Sequence, residues 1–337
     1  MKLSIIIPAY NVGKYIAKCL YSCLNQDVRS EDYEIIVVND GSPDNSLEIA
    51  EKIASETENI HVISQPNGGL SMARNTGLIH AKGKYVWFVD SDDWIETNCL
   101  DGLIKCLFVL NVDYLQLQHR LSYDNDSLNR DCYCKINGVV SGCQLLLSGD
   151  VIPDPVPFAI YRKEFLIKNK LTFYPGIFHE DSEFKPRVVF LSERCASYDN
   201  IVYNYYQRTS GSITSSANPK RAFDCIKVAL SIDEFFKNVA MNECANYFHN
   251  HISLMINNAC AVVGYNMKEL SDVLDKNKHL YVHLRKSTKP KYKIEGWLFT
   301  LFPKSAVGIY QFLQRFNKSH IIIRHRYVSN NNKCFLL

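Results

Sequence analysis

The first hundred residues switch repeatedly between two hydrophobic periods, and few folds can satisfy that alternation. Residues 3–8 (LSIIIP) and 34–38 (EIIVV) are short, almost continuous apolar runs rich in β-branched side chains. Such runs belong to parallel strands covered on both faces. Residues 60–64 and 85–89 read as strands as well. Between the first two runs, Val12, Tyr15, Ile16, Cys19, Leu20, Cys23 and Leu24 recur at helical spacing over residues 11–26, with Asn11 placed to cap the first turn. Residues 42–58 and 70–81 repeat the helical pattern, with Ser42 or Asp44 as a cap and Gly83 just beyond the later helix. The order β-α-β-α-β-α-β requires an open parallel sheet with right-handed crossovers.

Ligands of such sheets bind outside the carboxyl ends of the strands, so the residues after each run carry the functional information. They are Pro8-Ala9-Tyr10-Asn11, Asn39-Asp40-Gly41-Ser42, Gln65-Pro66-Asn67-Gly68-Gly69 and Asp90-Ser91-Asp92-Asp93, and all four should face one crevice. Three carboxylates in four residues raise one another's pKa unless a cation or wide solvation relieves them. Hard oxygen ligands favour Mg²⁺ or Mn²⁺, commonly held by one or two carboxylates with phosphate oxygens completing the shell. Alone, the cluster reads equally well as a solvated acidic turn before Trp94. Asp40 can accept hydrogen bonds from a base or ribose, Gly41 allows close backbone approach, and Arg74 is a partner for nucleotide or phosphate or a surface ion pair. No GxxxxGK[ST] and no GxGxxG after the first strand occur, which excludes a P-loop and argues against a dinucleotide site.

The whole chain has 337 residues, about two domains' worth, and its 47% hydrophobic and 22% charged content excludes wholesale disorder. Its twelve cysteines form no zinc knuckle, and those among apolar neighbours, such as Cys19, Cys23 and Cys106, are expected to be small buried hydrophobes. The amino terminus is too short an apolar run for a secretory signal, and no stretch of about eighteen apolar residues occurs, so the expected compartment is the cytoplasm. Residues 123–134 look like a surface excursion or irregular hairpin, and the prolines of residues 151–157 forbid regular helix. Helical patterns return from Arg221 to about Asp275. Residues 276–337 then hold 13 Lys/Arg against the single acid Glu295, whereas residues 1–275 hold 34 acids against 25 Lys/Arg. In this basic tail Ala306, Ile309, Tyr310, Leu313 and Phe316 share one helical face, with Lys304, Gln314 and Arg315 helping to make the other polar. Residues 294–326 are therefore either a peripheral contact with the inner face of the cytoplasmic membrane or a terminal helical pair packed on the body. No nucleic-acid motif accompanies the charge, so no nucleic-acid partner is expected.

IIIPAYN, VVNDGSPDNS, QPNGGLSMARNTGL and GKYVWFVDSDDWI, in that order, resemble the nucleotide-binding half of the family 2 glycosyltransferases. The resemblance is dense over residues 3–100. It returns at GIFHED (residues 176–181), which is similar to the family's acceptor-side Glu-Asp motif, and at YNYYQRTSGSI (residues 203–213), similar to its loop that closes over the nucleotide. It implies the GT-A fold: an α/β architecture with a Rossmann-like open, mostly parallel sheet flanked by helices, here with a basic helical extension. Residues 1–100 would be the nucleotide-sugar half, 101–219 the acceptor half and 220–337 the helical region. The resemblance further implies that Pro8, Tyr10 and Asn11, with Ala9, Gly68 and Ser91 beside them, line the nucleotide pocket, that Asp40 reads the base, usually uracil, and that Arg74 contacts the nucleotide. Asp90 would touch ribose or metal, Asp92 would ligate Mn²⁺ or Mg²⁺, Arg208 would pair with the diphosphate, and Asp181 would be the catalytic base, with Glu180 its rival. Asn39 stands where many members have a first acid. A QxxRW motif, carried by the processive members, is lacking, which favours addition of a single sugar from a UDP-sugar to a saccharide or lipid-linked saccharide, with inversion. A sugar nucleotidyltransferase is the second enzyme reading, but PAYNVGKY stands where its Gly-rich basic loop would be. A membrane-recruited protein that binds nucleotide without turnover is the non-enzymatic alternative.

Overall fold

All seven residues of β1 (Leu3–Ala9) are buried, as an unbroken apolar run between two helical layers requires. The computed structural model describes residues 1–148, 155–208, 218–239, 243–262 and 267–312. After β1 come α1 (Ile16–Leu24), β2 (Tyr33–Asn39), α2 (Ser46–Ala54), β3 (Ile60–Ser64), α3 (Leu70–His80) and β4 (Tyr85–Phe88), which is the expected alternation, element for element. β1 pairs in parallel with both β2 and β4, and β2 with β3, so the order is β3-β2-β1-β4. The chain moves one way from β1 to β3 and returns on the other side for β4. Strand order therefore reverses beside β1, and the carboxyl ends there flank a crevice.

Packing explains the helix positions. α1 buries Ile16, Cys19, Leu20 and Cys23, the residues whose spacing predicts it, in one cluster with Ile5, Ile7, Ile35 and Val37. α3 lies close to β1 because Gly77 has no side chain: a Cβ there would sit 2.2 Å from Ile6 Cγ2. The capping expectations need correction. Asn11 has φ 55° in the left-handed region, and α1 begins only at Ile16 with no side-chain cap. Asp44 does accept the Ser46 N–H at 3.2 Å, but its other oxygen accepts the Gly13 N–H at 2.8 Å and so ties two loops together. Ser42 donates to the Ala9 carbonyl at 3.3 Å instead of capping α2.

Next come β5 (Trp94–Ile95), α4 (Leu100–Leu110), β6 (Tyr114–Ser122), β7 (Arg130–Cys132), α5 (Gly142–Ser148), β8 (Ala159–Arg162), α6 (Lys163–Lys168), α7 (Glu180–Leu191) and β9 (Cys195–Tyr206). The sheet continues β4-β8-β6-β9-β5 and is mixed here, with β8 antiparallel to β4 and β6, β9 parallel to β6, and β5 antiparallel to β9. The excursion at residues 123–134 contains a short strand, β7, antiparallel to β6.

Among the described residues the chain divides into two units, one of residues 1–176 with 184–208, the other of residues 177–183 with 218–312. The second contains α8 (Lys220–Asn238), α9 (Ala245–Ala261), α10 (Met267–Lys276), α11 (Tyr281–Lys286) and α12 (Pro290–Leu301). Ala306 and Tyr310, expected on an apolar face that either meets lipid or packs on the body, are buried; Leu313 and Phe316 lie outside the described residues. No helix among the described residues is long and apolar enough to cross a membrane.

A buried polar chain makes the helical unit sensitive to acid. His249 Nδ1 meets His283 Nδ1 at 2.8 Å, and His283 Nε2 donates to Asp233 Oδ1 at 2.8 Å. One ring must donate and the other accept, so the chain breaks when both imidazoles carry two protons. Burial, aided by His283 and Lys286 and opposed by Asp233, lowers the His249 pKa to about 4. Burial raises that of Asp233, but His283 and Lys237 outweigh it and hold the carboxyl at about 2. His279 also approaches Asp233, at 3.4 Å. The unfolded chain takes a proton on His249 as pH falls through ~6.5, whereas the folded chain does not until about 4. Stability from this group is thus lost between those values, by up to about 1.4 kcal/mol per pH unit. His249→Asn is expected to flatten that part of the curve in urea unfolding midpoints followed by circular dichroism, and an unchanged slope would refute the assignment.

Candidate active site

The end of β4 is built around one buried carboxylate. β5 pairs with β9, Trp94 opposite Asn204 and Ile95 opposite Tyr203, which brings the end of β9 against the Asp90–Asp93 turn. Asp93, 1% exposed, accepts from Tyr203 Oη at 2.6 Å and from the Tyr206 N–H at 2.8 Å. Tyr203 Oη in turn accepts the Asp90 N–H at 3.2 Å. Asp93 thus fixes the turn. Burial, then repulsion from Asp92 and Asp90, pushes its pKa well up.

Asp90 and Asp92 remain partly exposed, and each faces an arginine. Arg74 Nη2 from α3 lies 2.8 Å from Asp90 Oδ1. Arg208 Nη2, just beyond β9, lies 2.5 Å from Asp92 Oδ2, its guanidinium 4.4 Å from the Tyr15 ring centroid. Burial and then Asp90 raise the Asp92 pKa, with Arg208 opposing them. Arg208 Nε is buried and meets no acceptor among the described residues, so the guanidinium keeps a donor for an incoming anion. Among the described residues no group of three or more His, Cys, Asp or Glu could hold a metal alone. Asp90 and Asp92 suit a hard divalent ion whose remaining ligands are phosphate oxygens and water.

Asp40 is 2% exposed and already engaged. Its Oδ1 accepts from Gln65 Nε2 at 2.7 Å and the Gly68 N–H at 2.9 Å, and its Oδ2 accepts the Gly69 N–H at 2.8 Å. Gly68 and Gly69 precede Leu70, the first residue of α3, so the carboxylate ties down the loop that enters the helix and lies on the side where negative charge complements the helix dipole. In this state Asp40 fixes the loop that carries Gly68 and sets the direction in which α3 presents Arg74. Pro8 and Ala9 are buried within β1, Ser91 is buried in the turn, and Tyr10, Asn11 and Gly68 are exposed at the strand ends.

In the helical unit, Glu180 and Asp181 occupy the first turn of α7, a favourable place for acids. They follow His179, whose φ of 63° turns the chain sharply. Three contacts hold this turn: the Phe178 N–H donates to the buried Asp224 at 3.0 Å, His251 Nε2 donates to the Ser182 carbonyl at 2.7 Å, and Ser231 Oγ donates to Glu183 at 2.7 Å. Asp224 is itself paired with Lys220 and Lys227. These supports, like Tyr15, Tyr203 and Tyr206 in the sheet unit, were not singled out as functional residues from the sequence. The only signal for the tyrosines is their place in or near the quoted motifs; for Asp224, Ser231 and His251, on distant helices, there is none.

The mixed sheet, parallel over β3-β2-β1-β4 and flanked by helices, has the architecture of the GT-A fold. S. aureus TarS residues 1–349, solved in complex with UDP-GlcNAc, superposes with a TM-score of 0.65 at 22% identity over 92% of each chain. Residues 4–169, just under half of the chain, match the family model "Glycosyl transferase family 2". The chain is 32% identical over 213 residues to the uncharacterized glycosyltransferase YibD of Escherichia coli (strain K12), covering 61% of this chain and 61% of that protein. It is 36% identical over 221 residues to the uncharacterized glycosyltransferase EpsJ of Bacillus subtilis (strain 168), covering 60% of each. The matched part thus spans about three fifths of these two relatives.

Proposed function

We propose that the protein transfers one sugar from a UDP-sugar to a hydroxyl of a saccharide or lipid-linked saccharide, with inversion, in the assembly of a surface polysaccharide or glycolipid. The observation that carries this reading is the counter-charged strand end, where Asp90 and Asp92 are each paired with an arginine and Arg208 Nε is still free to donate. A diphosphate needs both features, since its charge must be neutralised and its oxygens need directed donors. Asp92 and Asp90 would hold Mn²⁺ or Mg²⁺, which stabilises the departing diphosphate when bound. Pro8, Ala9, Tyr10, Asn11, Gly68 and Ser91 form the walls of the nucleotide pocket. Arg74 orients Asp90 and the nucleotide, and Arg208 turns from Asp92 toward the diphosphate. Asp40 meets uracil by way of the loop it orders.

Asp181 is the base. A carboxylate opposite the leaving group takes the acceptor hydroxyl proton during in-line attack, which inverts the anomeric centre in one step. Glu180 beside it orients the acceptor. The test is a donor screen that follows nucleoside diphosphate release with and without Mn²⁺ or Mg²⁺. UDP release from one UDP-sugar, abolished by chelation, is expected; release from no sugar nucleotide under either condition would remove the proposal.

A further inference from the structure

The helical unit presents an apolar stripe that its own core leaves uncovered. On α12, Ile294, Trp297 and Leu301 are 58%, 61% and 67% exposed, and Phe302 follows at 55%. The spacing of three and four residues puts Ile294, Trp297 and Leu301 along one side of the helix, and Phe302 caps its end. The opposite side is fixed. Gly296 lies so close to α11 that a Cβ would be 2.7 Å from the Arg285 nitrogen, and Phe299 is fully buried, so the helix cannot roll its stripe inward.

Charge is sorted in the same direction. Residues 276–312 contain eight Lys/Arg and one acid, Glu295. Glu295 is 1% exposed, accepts from Asn257 at 2.7 Å, and has its pKa raised by burial against the pull of Asn257 and Lys291. Lys289, Lys293 and Lys304 flank the stripe in solvent, and the Arg285 guanidinium sits 5.4 Å from the Trp297 ring. Residues 313–337 add five Lys/Arg and no acid.

We infer that this face of α12, with Phe302, seats on an anionic phospholipid surface, Trp297 and its neighbours entering the headgroup boundary while the lysines meet lipid phosphates. An interfacial helix combines these two features, a large apolar side and a cationic border. A second copy fits less well, because a two-fold contact through the stripe would bring the same lysines together. The surface is not required by the sugar-transfer reading and is tested without any donor.

The experiment is flotation of the full chain with phosphatidylcholine vesicles, with and without phosphatidylglycerol, at low and high salt. Binding only to the anionic vesicles, weakened by salt, is expected, with a blue shift of tryptophan emission. Trp297→Ser with Leu301→Ser should weaken it about tenfold or more. Lys289→Gln, Lys293→Gln and Lys304→Gln together should weaken it roughly a hundredfold. Ile167→Ser, at an equally exposed apolar residue of the sheet unit, should leave it unchanged. All altered side chains are exposed, so thermal melts should match the parent. Absence of binding, binding indifferent to both sets of substitutions, or self-association that the stripe substitutions abolish without vesicle binding would each overturn the proposal.

Discussion

Asp181→Asn should reduce kcat by about 10²–10⁴-fold, the usual worth of a positioned general base, while donor affinity stays that of the parent. The substitution preserves shape, and the Ser182 N–H that approaches Asp181 Oδ1 at 2.8 Å can donate to an amide oxygen as well. Asp224, His251 and Ser231 also hold the turn, so the fold should survive. What disappears is a proton acceptor for the attacking hydroxyl. The loss should fall on kcat with little change in donor KM, and donor hydrolysis by water should fall with transfer. Glu180→Gln should lose far less and raise acceptor KM. The reverse ranking would exchange the two roles, and parental kcat in both variants would end the assignment of a base to this turn.

The part of the chain most legible in the sequence is residues 3–88, where hydrophobic period states each element. β1, α1, β2, α2, β3, α3 and β4 follow from period alone because β1, β2 and β4 are buried throughout and each helix buries one face, although β3 buries only Ile60 fully. The pattern blurs at α4, where Phe108 and Val109 are 41% and 82% exposed and break the apolar period of Leu100, Leu103, Ile104 and Leu107. β8, β6 and β9 pair across long sequence separations, and nothing in a single strand's composition states its partner. The same limit applies to the site. The strand-end acids and arginines are visible as residue types, but which of three adjacent aspartates turns inward depends on Tyr203 and Tyr206, more than a hundred residues away. The tail shows the limit in another form. Periodicity finds amphipathic helices there but not which apolar face the unit itself consumes, and the structure buries Ala306 and Tyr310 while exposing Trp297 and Leu301.

Asp92 and Asp93, neighbours with the same side chain, should therefore behave in opposite ways. Asp93→Ala leaves Tyr203 Oη and the Tyr206 N–H without their acceptor in a buried place, at about 1–3 kcal/mol for each group. A lower melting temperature is expected, with activity lost because the turn no longer has its shape. Asp92→Asn removes a partly buried charge whose pKa burial and Asp90 already raise. Its ion pair with Arg208 is partly solvated, and such pairs contribute little. Relief of repulsion on Asp90 and Asp93 should leave the melting temperature equal or higher. The functional loss should be severe even so: the gain in UDP affinity on adding Mn²⁺ should vanish in calorimetric titration, and kcat should drop about 10²–10³-fold, as for removal of one transition-state stabiliser. If Asp92→Asn melts early like Asp93→Ala, the acidic turn is a structural unit. If it binds UDP with the same Mn²⁺ dependence as the parent, the ion is held elsewhere. The expected split, folding stability with Asp93 and cation-dependent binding with Asp92, would show that one short acidic sequence divides scaffold from chemistry according to which carboxylate the sheet buries.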